Sequence, residues 1–495
     1  MKSIPQKLGI SFFVVLFAFF PLTDTDVWWH LASAREFFRS GLPIRDPFCW
    51  APSKTPWVNI HLFFQMTIYG VYRAFGTDGL VAFKSLLWGV VAFLWLLPVS
   101  KKFNSCGIFF AVLFAFLLRY SLECRPVLFS LFFLGVFWNL LPMLSKKLSV
   151  RWVICAGILL LMEWFWCRSQ GLFALGWAIS FLFVAVNWKM IPLAGRLRFL
   201  IFAVLLLIIP LLHRQGFLVW AYPFPLLNRL MGVTSDASIF ASQISENRSP
   251  FTLLFNEENV VAMGTLLVAA FASIAFSMRA FLGCFRSGEW QGFWRYAWLF
   301  IAAILALVAE RNAVLLLFPF ISLIFQNENQ LICAENRMGT ISFTALIAFV
   351  LGFWIKSLFA YISPNGFESF AEARVPKNAV EFMKSHPLPA NRRLFNDDRS
   401  GGYIEWSFPG IKTYADGRFI LKDSSFFAGY LGFASSPESF LIFAQEMNVG
   451  RVLLPLRYFS IWNPLVAELS ANPLWKRVYI DPFYVVFDGK ILNRP

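Results

Sequence analysis

Hydrophobic and polar positions divide this chain into a long series of apolar blocks followed by a mixed tail. Apolar segments fall near 8–22, 80–98, 104–118, 126–144, 152–166, 171–188, 199–212, 259–281, 296–309, 312–325 and 340–361. Their length and uncharged interiors predict about eleven membrane-crossing helices. Two links in that count stay open. The segments flanking Glu310-Arg311-Asn312 have about 14 residues each, against the roughly 20 of a spanning helix. Residues 296–325 therefore read either as two helices or as one with a buried Glu–Arg pair. The turn from Cys167 to Gln170 poses the same choice. From about 363 onward, Pro, Gly and mixed charge surround strand-length runs such as 451–456 and 484–487. Pro409-Gly410, Asp416-Gly417 and Asp488-Gly489 are turn signals there. The pattern predicts an all-α polytopic membrane domain over 1–362, including a long loop at 23–79, and a small α/β domain over 363–495.

Composition agrees. Only 14% of residues are charged and 58% are hydrophobic, whereas a soluble domain carries about 25% charged residues. The formal charge of +15 would suggest nucleic acid if it clustered on a soluble face. Here the basic residues punctuate hydrophobic segments, at Lys101-Lys102, at Lys146-Lys147, across 189–198 and across 286–295. That is the positive-inside pattern, and it excludes nucleic acid as the partner. With those connections in the cytoplasm, loops 23–79 and 213–258 lie outside, as does the turn 119–125. Eleven spans then send the tail outside too. Lys84 and Lys356 sit near span ends, placed to snorkel. The seven cysteines show no paired spacing, and none follows Cys333, so neither a disulfide framework nor a zinc cluster is expected in the C-terminal region. The first apolar segment reads as an uncleaved signal anchor.

Candidate chemistry concentrates just after that anchor. Asp24 and Asp26 stand where the chain leaves the bilayer, and Trp28, Trp29 and His30 follow. Carboxylates at that depth are costly and functional by default. Asp26 and His30 share a face on a helix starting near Thr25, and the aromatic loop predicts interfacial helices. Asp24 or Thr25 alternatively caps that helix; capping explains one carboxylate well and two poorly. His30 and His61 more simply hydrogen-bond within the loop. Glu123 and Arg125 share one turn, where the arginine suits a lipid phosphate and the glutamate suits either a metal site with Asp26 or a topological anchor. Arg248 and Arg311 add charge at the same predicted edge. Gly401-Gly402-Tyr403 and Asp416-Gly417-Arg418 are accounted for as turns. No P-loop, dinucleotide-binding glycine pattern, nucleophile elbow, CxxC pair or HExxH motif occurs.

The blocks Asp26-Val27-Trp28-Trp29-His30-Leu31, 41–48, Trp57, 125–130, Glu310-Arg311-Asn312, Gly401-Gly402-Tyr403-Ile404 and Asp416-Gly417-Arg418 resemble a group of bacterial membrane proteins of GT-C-like shape. The GT-C superfamily comprises membrane glycosyltransferases that use polyprenyl-phosphate sugars. The tail is also faintly similar to the soluble part of oligosaccharyltransferases. The resemblance implies the bacterial cytoplasmic membrane, a polyprenyl-phosphate sugar donor, and a glycan, lipid or protein acceptor outside. It implies that Asp26, or Asp24, acts as general base or holds a divalent metal ion with Glu123. Arg125, Arg311, Arg248 and His30 then bind substrate. Arg168, Gln170 and the stretch His213-Arg214 depart from the pattern, which expects Asn and His at the first two positions and Asn-Pro near the last. A transporter or flippase of lipid-linked substrates would place ionisable residues at span midpoints and show internal repeats, and neither is evident. A catalytically silent assembly protein is the remaining alternative. A reporter enzyme that works only outside the cytoplasm, fused after Pro495, is expected to be active; an inactive fusion would invert the predicted topology.

Overall fold

The computed structural model describes residues 4–53, 55–99, 105–232, 234–324 and 366–490, with isolated positions between 344 and 363. It forms two compact units, one from Met1–Phe20 with Asp78–Phe367 and one from Pro21–Thr77 with Glu368–Pro495. Loop 23–79, grouped by the sequence pattern with the membrane domain, thus packs with the tail through residue 77. The division falls inside the helix Leu62–Leu96, beside a non-helical Gly76 at φ 65°.

The first unit is helical. Every apolar segment from 8 to 325 forms a helix, while 340–361 lies largely outside the described residues. Among the described residues, five helices are long and apolar enough to cross a membrane: Leu62–Leu96, Val127–Leu144, Gly171–Met190, Leu193–Leu212 and Val260–Ser287. Ile4–Ala18, Gly107–Leu117 and Phe293–Val308 are apolar but shorter. In Leu193–Leu212 only 28% of the window is buried although its mean hydropathy is 2.3. An exposed face of Leu193, Leu197, Leu200 and Val204 suits lipid and not water. The chain is a multi-pass membrane protein. Both open links resolve as breaks. Ala309 is extended at φ −148°, ψ 135°, so Phe293–Val308 and Ala313–Ile324 are separate helices. The helix Val150–Trp166 likewise ends before the turn at Cys167.

Inside this unit, some tryptophan N–H groups find oxygens that apolar neighbours do not offer. Trp95 donates to Leu131 O at 3.1 Å and Trp166 to Ser130 Oγ at 2.8 Å. Lys84 does not snorkel. It is fully buried, 3.4 Å over the Phe20 ring and 3.9 Å from Glu123.

The second unit centres on a four-stranded sheet of β1 (Arg393–Asn396), β2 (Val449–Pro455), β3 (Trp475–Ile480) and β4 (Tyr484–Gly489), in the order β1-β2-β4-β3. β1 runs parallel to β2, and the other pairs are antiparallel. Every residue of β2 is buried, as a central strand covered on both faces requires. Arg451 and Asp488, directly opposite on β2 and β4, form a bidentate ion pair at 2.6 and 2.8 Å. The tail is therefore α/β as predicted, but it also receives Pro21–Thr77. Bridges pair Leu22 with Phe370 and Cys49 with Thr413, and Trp50 Nε1 donates to Leu394 O at 2.7 Å.

The helix Asp398–Ser407 lies directly on the helix Asp26–Ser40. A Cβ on Gly402 would come within 2.9 Å of Trp29 N, and one on Gly401 would overlap Ala415 O. These glycines are helical, not a turn; each costs roughly 0.5–1 kcal/mol of helix propensity, which close packing offsets. Gly402→Ala is expected to destabilise the purified protein by about 1–3 kcal/mol through overpacking. Gly429→Ala, in the helix Ser424–Ser435 with nothing within 4 Å, is expected to be neutral or stabilising. Thermal melting followed by tryptophan fluorescence checks both, and equal behaviour of the two variants would contradict this packing.

Candidate functional site

In the second unit, Asp26 opens the helix Asp26–Ser40. Thr25 occupies the N-cap position without a side-chain bond. Asp24 Oδ1 instead accepts the Asp26 N–H at 3.2 Å, so the capping predicted for Asp24 or Thr25 falls to Asp24. Asp24 is buried, whereas Asp26 is half-buried at the positive end of the helix dipole. A Cβ on Gly417 would overlap the Asp26 carboxylate, so only glycine lets the Asp-Gly-Arg segment reach it. His30, a turn further on, is buried between Trp29 at 3.6 Å and Phe64 at 5.0 Å between ring centres. Its Nδ1 lies 3.4 Å from Gln65 Nε2, and its ring is 5.3 Å from that of His61.

Behind Gly417 is a buried ionic cluster that the turn reading of Asp416-Gly417-Arg418 did not anticipate. Arg418 donates from Nε to Asp416 at 2.8 Å and from Nη2 to Asp46 at 2.9 Å, and lies 4.0 Å from Glu405 Oε2. All four side chains are at most 4% exposed. The guanidinium is ringed by Phe48 and Trp57 at 5.0 Å and Trp29 at 5.7 Å. Thr413 Oγ1 donates to Glu405 Oε1 at 2.7 Å. Burial pushes the Glu405 carboxyl well above the usual range, and the neighbouring Asp416 charge adds to this, so Glu405 keeps its proton. Burial also works against Asp416, but the Arg418 charge and hydrogen bonds outweigh it and hold Asp416 below the usual range. Burial pushes the Cys49 thiol up, as do the charges of Asp416 and Asp46 beside it.

Cys49, Glu405 and Asp416 offer ligand atoms within 4.8 Å of one another. In this structure Arg418 pairs with Asp416, and a metal ion bound here would have to compete with that pair and displace the protons of Glu405 and Cys49. The cluster was hidden from the sequence because nothing in a single Arg or Glu codon marks burial. The one available signal was Glu405 standing between Ile404 and Trp406.

The first unit holds the remaining predicted residues. Arg125 and Arg311 converge on one carboxylate. Arg125 Nη1 donates to Glu246 Oε2, and Arg311 Nη2 lies 3.8 Å from Glu246 Oε1. Arg311 Nη1 also donates to Asn247 Oδ1 at 3.0 Å. Arg248 pairs instead with Glu258 at 3.0 Å. Glu123 meets the cation Lys84. At the departing positions, Arg168 donates to Leu212 O at 3.1 Å and stacks on Trp164. Burial and the Arg168 charge pull the His213 imidazole down to about 4. Arg168 thus ties two turns together, and its carbonyl and ring partners account for it structurally.

No protein-family profile matches the sequence, and no curated protein matches it. Solved structures of the Archaeoglobus fulgidus oligosaccharyltransferase AglB do match in three dimensions. The complex with an inhibitory peptide and a dolichol-phosphate gives a TM-score of 0.57 at 13% identity, covering 91% of this chain and 69% of that one. The complex with Zn and sulfate gives 0.53 at 14% identity, covering 91% and 68%. The form tethered to an acceptor peptide containing the NVT sequon gives 0.51 at 13%, covering 90% and 68%. This chain therefore shares the fold of these oligosaccharyltransferase structures.

The buried cluster sets a pH dependence of stability. A carboxyl whose folded pKa is raised stabilises the fold fully below its unfolded pKa of about 4.3, and this contribution is lost as pH rises. On account of Glu405 the wild type is expected to lose stability as pH rises above the unfolded value, by at most about 1.4 kcal/mol per pH unit. Glu405→Gln removes this loss, so its stability relative to wild type should grow with pH. Arg418→Met strands two buried carboxylates and is expected to cost about 3–5 kcal/mol. Chemical denaturation at pH 5, 6.5 and 8 reads both effects; a pH-independent difference between Glu405→Gln and wild type would refute the protonated glutamate.

Proposed function

We propose that this protein transfers a sugar from a polyprenyl-phosphate-linked donor to an acceptor on the extracytoplasmic side of a bacterial cytoplasmic membrane. The observation that carries the reading is the GT-C-like fold along 91% of the chain, shared with an oligosaccharyltransferase solved with a dolichol-phosphate and with an acceptor peptide. Asp26 is the proposed reactive carboxylate. Its neighbours favour this role over Asp24, which is committed to the Asp26 N–H. As a general base Asp26 takes the proton of an acceptor hydroxyl as the sugar is transferred, a contribution of about 10²–10⁴-fold. The donor phosphate leaves with its negative charge, and Arg125 and Arg311 are the proposed groups that offset it. Arg248, paired with Glu258, is secondary, and His30 is proposed to position the Asp26 helix from within its core.

A divalent cation held by Asp26 is the second form of the reading, and it is supported by the zinc complex of the similar structure. Such an ion would polarise the acceptor oxygen or the phosphate and would take over part of the work of a base. Glu123 of the first unit is already met by Lys84, so it is left out of this form.

The test is transfer of labelled sugar from a polyprenyl-phosphate donor by the protein in lipid nanodiscs. Asp26→Asn is expected to lower transfer at least about 100-fold, while Asp24→Asn lowers it less and reduces melting temperature. Full activity of Asp26→Asn sinks the assignment. Chelation by EDTA separates the two forms: activity retained after chelation supports the base, and activity lost and restored by added divalent ion supports the metal.

A further inference from the structure

The Arg125–Glu246–Arg311 group carries an inference that rests on the donor-phosphate role proposed above and extends it. Arg125 precedes the helix Val127–Leu144, Arg311 lies in the turn Glu310–Asn312, and Glu246 lies in the turn Ser245–Asn247. Residues far apart in sequence thus bring two guanidinium groups to one carboxylate, each facing a different oxygen. That is the arrangement a phosphoryl group adopts between two arginines, with one oxygen given to each. The side chains of Arg125, Glu246 and Arg311 are 34%, 30% and 40% exposed, so a headgroup can reach them.

The backbone around Glu246 is held independently of its carboxylate. Asn247 Nδ2 donates to Phe240 O at 3.1 Å, and Arg248 O accepts the Glu310 N–H at 3.0 Å. The Glu246 side chain can therefore rotate away while its turn stays in place. A carboxylate and the phosphodiester of a lipid-linked sugar each carry one negative charge, whereas the polyprenyl phosphate left after transfer is a monoester and carries up to two at neutral pH. Between the same two cations the diester is a ligand of the same charge as the carboxylate, and the monoester is the stronger one.

We propose that Glu246 is an internal competitor for the phosphoryl group of the lipid donor. Its carboxylate holds the two arginines in place between turnovers and excludes weaker anions. It yields to the donor phosphate, whose binding draws also on the rest of the lipid-linked sugar, and by competing for the two arginines it helps the doubly charged lipid phosphate product to leave. Glu246 is thus a specificity-determining residue at the phosphate end of the substrate.

The probe is polyprenyl phosphate, with inorganic phosphate as the second arm, titrated against the full chain in nanodiscs. Glu246→Gln is expected to bind polyprenyl phosphate about five-fold more tightly, in line with losing one exposed ion pair. Glu246→Asp should stay near wild type, and Glu246→Ala repeats the Glu246→Gln result if the amide itself perturbs folding. Melting temperature confirms that each variant is folded. Tightening confined to polyprenyl phosphate identifies the lipid headgroup as the ligand, and equal tightening for inorganic phosphate identifies a site for any phosphoryl anion; both support the competitor. An unchanged or weakened affinity in both Glu246 variants overturns it. Arg125→Gln and Arg311→Gln separate this from the donor-site reading. If they weaken binding while Glu246→Gln changes nothing, only the competitor role fails; if they bind polyprenyl phosphate as wild type does, the donor-site reading itself fails.

Discussion

The second unit depends on the burial of one guanidinium. Removing an ion from water costs several kcal/mol, and only close opposite charge with good hydrogen-bond geometry offsets that. Arg418 meets the requirement with Asp416 from its own turn, Asp46 from the 21–77 segment, and a protonated Glu405 from the helix Asp398–Ser407. Because those partners come from three separate stretches, the cluster can be satisfied only when the stretches are assembled. Trp29, Phe48 and Trp57 close over the guanidinium, which ties the start of the helix Asp26–Ser40 to the same point. The place of Asp26 is in this sense a consequence of where Arg418 is buried.

The first unit follows a different rule. Its helices expose apolar faces to lipid, so the hydrophobic effect does little to hold them against one another. Packing of large aromatic rings and single tryptophan hydrogen bonds, such as Trp166 to Ser130, carry more of the load. Charged groups gather at turns, where Glu246 is shared by Arg125 and Arg311. Lys7 and Glu163, buried inside helices, and the pair of Lys84 and Glu123 depart from this, and the pair shows that a lysine near a span end need not reach for water when a carboxylate and an aromatic face are closer.

How much of this was legible in the sequence follows from which signals are local. Apolar runs are local, and each one within 8–325 is a helix. The break at Ala309 depended on backbone geometry that the two short apolar runs only suggested. Helix starts are local too, and the competition between Asp24 and Thr25 for the cap was correctly posed. Partnership between distant segments is not local. Nothing in the pattern of 23–79 says that it belongs with the tail, because its aromatic residues suit a membrane interface and a protein core equally well. Glycine carries the same ambiguity: Gly401 and Gly402 resemble a turn in sequence, yet they are helical and small because Trp29 and Ala415 press against them. Of the proposed site, Asp26 and the Arg125–Arg311 pair were legible as charges in costly places, whereas Glu246 as the point where both arginines meet was not.

The carboxylates of the second unit divide by how their charge is already used. Asp46 and Asp416 are neutralised by Arg418, and Glu405 is neutral in itself. Asp24 is spent on a backbone N–H. Asp397 caps the helix Asp398–Ser407 through the N–H groups of Arg399 and Ser400, and Asp398 accepts the Tyr430 hydroxyl at 2.7 Å. Asp26 is placed by three features: it is half-buried, it stands at the positive end of a helix, and glycine at 417 is the only residue that leaves its carboxylate undisturbed. A reactive carboxylate needs a fixed position without a fixed proton, and a rigid cluster lying just behind it supplies the first without imposing the second. The burial of Arg418 and the proposed reactivity of Asp26 are in this way two consequences of a single Asp-Gly-Arg turn.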